Sequence, residues 1–163
     1  FFDMSNSNSS INATSLVPSS DQGLYSVKCH CGIIHAHFLC NRNTITVWDC
    51  NCSDCAMRRN IHFIVPSSDF ELSMNSSDKF ENATILYEWG TKIAKRRFCK
   101  TCGILPFYTP RSNPDSVAIT LPCVDFGLGS SPTVIVKHYD GIHWEESFQK
   151  TGISSESQSN VAG

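Results

Sequence analysis

Cys29-His30-Cys31-Gly32-Ile33-Ile34-His35-Ala36-His37-Phe38-Leu39-Cys40 carries the two signals from which the rest of the chain can be read. From Ile34 onward the period is two: Ile34, Ala36, Phe38 and Cys40 share one strand face, and His35, His37 and Leu39 the other. Just before it, Cys29 and Cys31 stand two residues apart at a strand end, so both sulfurs project to one side and can reach one ion. Similar short runs, rich in β-branched and aromatic residues and bounded by Gly, Pro, Asn or Ser, are Leu24–Cys29, Thr44–Trp48, Ile61–Val65, Thr84–Trp89, Ile104–Tyr108, Val117–Leu121 and Thr133–Lys137. Many short strands at this spacing predict a mainly β, mainly antiparallel domain. Helical signals are confined to a short helix from Ser53, with Ser53 or Asp54 as N-cap, and a turn at Trp144–Phe148.

The whole chain has 163 residues, which suits one domain. At 40% hydrophobic and 17% charged residues it can build a core, so a disordered polyelectrolyte is excluded. Thirteen basic and 15 acidic side chains leave a formal net charge of -2. Such a balance gives no general attraction to nucleic acid or to an anionic membrane. Residues 1–21 and 151–163 are Ser- and Asn-rich and read as flexible tails around a domain at 22–150. Neither tail is basic. No stretch approaches the ~20 apolar residues of a membrane helix.

Seven of the nine cysteines fall into three tight groups, a clustering of metal thiolates in a reducing compartment rather than of a secreted disulfide scaffold. Sequons at Asn8, Asn12, Asn51, Asn75 and Asn82 point the other way, but a Ser- and Asn-rich chain produces them by chance. The expected location is therefore intracellular, cytoplasmic or nuclear.

Cys99-Lys-Thr-Cys102-Gly103 has the spacing of a zinc knuckle, and Gly103 can take the positive φ such a turn requires. With Cys29 and Cys31 it makes a tetrahedron of four cysteines, the closed and structural form of a zinc site. That ion would tie together residues 68 positions apart. The alternative is that one pair is a redox dithiol.

Cys50-Asn-Cys52-Ser-Asp-Cys55 puts three thiols on a strand end running into a helix. Three protein ligands and an open position is the pattern of catalytic zinc, and the helix N-terminus favours thiolates. Three thiolates leave such a site at net -1, poor at activating water but suited to an exchangeable, electron-rich fourth sulfur. That favours carbon–sulfur bond making or breaking, for instance with an aldehyde. The alternative is a closed site completed by Cys40, Cys123 or a histidine.

Smaller signals have ordinary readings beside them. His35 and His37 could ligate metal or line a solvated face. Lys92 to Lys100, with Lys95, Arg96 and Arg97, could hold carboxylates or phosphate, or simply face water. Arg111, in the rigid Tyr108–Pro114 turn, offers a bidentate anion fork.

The order of the cysteine groups resembles the family of glutathione-dependent formaldehyde-activating enzymes and centromere protein V, with the closer likeness to its centromere protein V members. The resemblance lies in Cys29–Gly32, Asp49–Ser53, His62–Pro66, Phe98–Lys100 with Cys102-Gly103, Phe107–Pro114 and Cys123–Asp125, and spans Tyr25 to Phe148. It implies a β-tent fold of small antiparallel sheets with short helical turns, stabilised by zinc. It further implies structural zinc on Cys29, Cys31, Cys99 and Cys102, and a second zinc on Cys50, Cys52 and Cys55 beside a substrate pocket. For the family's enzymes it implies joining formaldehyde to glutathione as S-hydroxymethylglutathione, a carbon–sulfur lyase reaction in reverse. The competing expectation is a non-enzymatic zinc module that binds a protein, cytoskeletal or chromatin partner.

Overall fold

The computed structural model describes residues 14–74, 77–127 and 131–158. Chain order is β1 (Gln22–Lys28), β2 (His35–Asn41), β3 (Thr44–Cys50), α1 (Ser53–Arg58), β4 (Ile61–Pro66), β5 (Phe70–Leu72), α2 (Ser77–Ala83), β6 (Thr84–Tyr87), β7 (Lys95–Cys99), β8 (Phe107–Thr109), β9 (Ser116–Thr120), β10 (Val124–Asp125), β11 (Thr133–Tyr139), α3 (Trp144–Thr151) and α4 (Ile153–Gln158). The fold is mainly β, with two sheets: β10-β1-β2-β5, and β11-β3-β4-β9-β8-β7-β6. Pairing is antiparallel except between β11 and β3, which run parallel in register from Thr133 opposite Thr44 to Tyr139 opposite Cys50.

The alternation read from β2 operates as expected. Ala36, Phe38 and Cys40 are buried in the main core with Val27 of β1, and meet Ile45, Val47, Phe63, Val65, Phe107 and Ile119 of the larger sheet. Burying such side chains is the principal stabilising term, at about 1.5–3 kcal/mol each. Asn41 turns the chain from one sheet to the other, its Oδ1 accepting from the amides of Asn43 and Thr44. A second cluster, Trp48, Cys50, Cys55, Tyr139 and Ile153, forms where β3, α1, β11 and α4 converge.

Several boundaries differ from the sequence reading. The strand expected at Ile104 begins at Phe107, because Cys99 N bonds Ile104 O and Gly103 N bonds Cys99 O, using that stretch to turn the knuckle. Helix α1 is capped by Cys52 rather than by Ser53 or Asp54. The carboxyl-terminal segment expected to leave the domain at 151 instead folds as α4, because Ile153 is an apolar side chain with a buried site to fill. Asn113 Nδ2 donates to Ser154 O and Ser154 Oγ to Ser112 O, both at 3.0 Å, pinning that helix. Of the amino-terminal segment, residues 1–13 lie outside the described residues, and Thr14 and Ser15 hydrogen-bond the Glu71 carboxylate of β5. At the end of the larger sheet β11 exposes Val134, Ile135 and Val136. No helix among the described residues is long and apolar enough to cross a membrane.

Candidate metal centres and the adjoining cavity

Turns at the ends of β1 and β7 bring Cys29, Cys31, Cys99 and Cys102 together, with all four sulfurs within 4.8 Å of one another. Cys29 and Cys31 sulfurs are 3.5 Å apart, and Cys31 and Cys99 sulfurs 3.6 Å. Those separations exceed the roughly 2.05 Å of a disulfide and approach the roughly 3.8 Å edge of a tetrahedron with metal–sulfur bonds of about 2.3 Å. The Ile34 amide donates to Cys29 Sγ at 3.3 Å, and Gly32 and Gly103 both adopt positive φ to complete their turns. Burial pushes the Cys29 thiol up to about 12, whereas at Cys102 amide and thiol hydrogen bonds overcome desolvation and bring it to about 6. The donor set fits one thiolate-bound divalent ion.

Cys50, Cys52 and Cys55 form a second cluster, again within 4.8 Å. Cys50 ends β3; Cys52 caps α1 and Cys55 lies one turn in. The Cys52 amide points at Cys50 Sγ (3.5 Å) and the Cys55 amide at Cys52 Sγ (3.4 Å), so backbone dipoles face the sulfurs. The neighbouring thiols and the amides of Asp54 and Cys55 favour the Cys52 thiolate, holding it below the ordinary thiol range.

A balancing positive charge is built in alongside. Asp54, in the first turn of α1, pairs with Arg58 at 2.6 Å and Arg96 at 2.5 Å, its side chain only 6% exposed. Two guanidiniums against one carboxylate leave a surplus of +1 beside the thiolates, matching the -1 of three thiolates around a divalent ion. The neighbouring loop is shaped to the sulfurs. A Cβ on Gly141 would stand 2.4 Å from Cys50 Sγ and 2.8 Å from Cys52 Cβ, so only glycine fits. Asn51 fixes that loop, accepting from the Ile142 amide and donating to Asp140 Oδ1. The sequon asparagine at 51 therefore has its amide engaged within the fold.

The three cysteines open onto a cavity of about 170 Å³. Its walls include Trp48, Trp89, Tyr108, Tyr139 and Trp144, with His62, Arg96 and Arg111. His62 is paired across the strands with Trp48, and its Nδ1 and the Trp48 Nε1 are buried with no hydrogen-bond partner among the described residues. Burial lowers His62 to about 4, so its ring is uncharged near neutrality.

The other sequence candidates separate cleanly. Arg111 reaches the cavity, stacked 3.6 Å above the Trp144 ring and paired with the exposed Glu145 at 2.7 Å. Of the basic run only Arg96 lines the cavity; Lys95 pairs with Glu88 and Arg97 with Glu81. Cys40 is wholly buried in the main core and Cys123 lies in a groove beside Cys29, so neither completes the three-cysteine cluster. No histidine among the described residues joins it either. His37 Nδ1 hydrogen-bonds Ser73 Oγ at 2.7 Å, and neither it nor His35 belongs to a metal-ligating group. Asp54 and Arg58 are a local i,i+4 pair of α1, whereas the Asp54–Arg96 pair and the aromatic walls depend on strands brought together by folding, for which the sequence motifs gave no signal.

The chain aligns structurally with the crystal structure of a Rhodobacter sphaeroides protein at 28% identity and a TM-score of 0.54, covering 66% of this chain and 98% of that one. Residues 24–139 match the family model for the glutathione-dependent formaldehyde-activating enzyme. That span holds all seven clustered cysteines, and the chain belongs to the glutathione-dependent formaldehyde-activating enzyme family.

Proposed function

We propose that the protein is a zinc-dependent enzyme of carbon–sulfur lyase type, interconverting a small thiol such as glutathione and its adduct with a small carbonyl such as formaldehyde. One observation carries the reading: three cysteine sulfurs converge at a cavity wall, and no further metal-ligating side chain of the described residues closes the set. Cys50, Cys52 and Cys55 would hold the reactive ion, and Cys29, Cys31, Cys99 and Cys102 a structural one. A zinc ion bound by three thiolates supplies a position where an incoming thiol sulfur is kept deprotonated and exchangeable.

The chain's own groups then orient and shield. Apolar walls exclude water from the sulfur and the carbonyl carbon, and Asp54, Arg58 and Arg96 hold the local charge near balance. As the sulfur–carbon bond forms, the carbonyl π pair moves to oxygen and the thiol proton ends there, with nothing oxidised or reduced. His62, whose ring is uncharged near neutrality, lines the cavity and would relay that proton. Arg111 would bind a substrate carboxylate by exchanging its solvent-exposed partner Glu145, a pairing weak enough to give up. The grouping of seven cysteines as metal donors is the ground for proposing a reducing, intracellular setting as well.

Exchange NMR with formaldehyde and glutathione tests the proposal. Wild-type protein should accelerate adduct interconversion, and Cys52→Ser should return it to the uncatalysed rate. A wild-type rate no higher than that of the variant overturns it.

A further inference from the structure

The cavity beside the three cysteines presents more aromatic surface than a one-carbon carbonyl can use. An engineered protein cavity of about 150 Å³ holds benzene, and this one is about 170 Å³. Trp48, Trp89, Tyr108, Tyr139 and Trp144 contribute to its walls, with Ala94 and Ile153 filling between them. Charge is scarce there by comparison. Besides the cysteines, Arg96 and Arg111 are the charged residues on the described lining; Arg96 is locked to Asp54 with both side chains under a tenth exposed, leaving Arg111 as the exchangeable cation. Gly141, Trp144 and Ile153 also lie beyond residue 139, where the family match ends, so part of this wall is supplied by α3, α4 and the loop before them.

Resting on the proposed carbon–sulfur chemistry, we infer that the preferred adduct carries an aromatic group on the carbon bonded to sulfur: the carbonyl partner is an aromatic aldehyde rather than formaldehyde. The bond changes are those already given, S–H and C=O becoming S–C–O–H, with the ring substituent replacing one hydrogen of formaldehyde. Sulfur held at the cysteines places that substituent, one atom away, against the aromatic walls. Burying a phenyl group there provides affinity that the single exchangeable guanidinium cannot give a two-carboxylate thiol.

Stable thioethers test this without turnover. S-benzylglutathione and S-methylglutathione differ in the phenyl group alone, and their binding to the zinc-loaded full chain is read by calorimetry and tryptophan fluorescence. The benzyl compound should bind at least tenfold more tightly. Trp89, 41% exposed on a loop, can be changed without opening the core, and Trp89→Ala should cut that preference at least threefold. Equal affinities, or a preference untouched by Trp89→Ala, overturn the inference. Exchange assays with benzaldehyde plus glutathione and with formaldehyde plus benzyl mercaptan separate an aromatic aldehyde from an aromatic thiol as the source of the ring. Faster exchange for the second pair overturns the aldehyde assignment. Formaldehyde–glutathione exchange without any benzyl preference removes this inference alone; absence of all exchange removes the proposed function with it.

Discussion

Gly141 shows how closely the second cysteine site is fitted. Its missing side chain leaves room for Cys50 Sγ, and Gly141→Ala would demand that a sulfur or the backbone of Cys52 move. Metal analysis of that variant should show loss of about one ion per chain, with the four-cysteine site still filled. Asp54→Asn attacks the same region through charge, leaving two guanidiniums without their carboxylate. The expected cost is about 3–5 kcal/mol, measured by denaturant unfolding. His62 sets a pH dependence. Burial lowers it in the folded chain from 6.5 to about 4, so as pH falls the unfolded chain takes up this proton first. Its contribution is therefore complete above about pH 6.5 and is lost as pH drops toward 4, by roughly 3 kcal/mol in all. The slope of stability against pH over that window should flatten in His62→Gln.

At the level of elements, local signals marked eight strands but missed β5 and β10, which are two or three residues long, and β7, whose Lys95, Arg96 and Arg97 read as a charged run. The period-two run through Phe38 announced β2, and the cysteine spacings at Cys29/Cys31 and Cys50/Cys52/Cys55 announced two strand ends that carry clustered thiols. Cys52 shows why the N-cap was missed: Ser and Asp are the ordinary caps, and a sulfur takes that role here because it is also placed to serve as a ligand. The segment after Thr151 looked like tail because its Ser-rich composition hides one apolar anchor. Whether Ile153 is buried depends on Trp48, Cys55 and Tyr139, none of them near it in sequence. Ile153→Ala should release α4, seen as faster amide exchange and protease cleavage after residue 151, and should weaken S-benzylglutathione binding. The aromatic wall was unreadable for the same reason. Its rings come from five separated stretches, and each alone passes for core or surface.

Across the whole molecule, the four-cysteine cluster joins β1 to β7 over 68 positions of chain and does so next to the main core. Ion binding of this kind supplies on the order of 10 kcal/mol to folding, comparable with the entire net stability of a domain. Chelation strong enough to strip this site should therefore unfold the protein, and Cys99→Ser should prevent folding. Cys52→Ser should leave the fold intact, a contrast that circular dichroism reads directly. The rim of the larger sheet has a different bearing, on how the protein behaves in concentrated solution. Val134, Ile135 and Val136 form a greasy rail with backbone amides and carbonyls on its outer side, and no charge until Lys137 interrupts it. Molecules brought close together would zip along that rail, and a single Ile135→Lys exchange should delay the onset of turbidity.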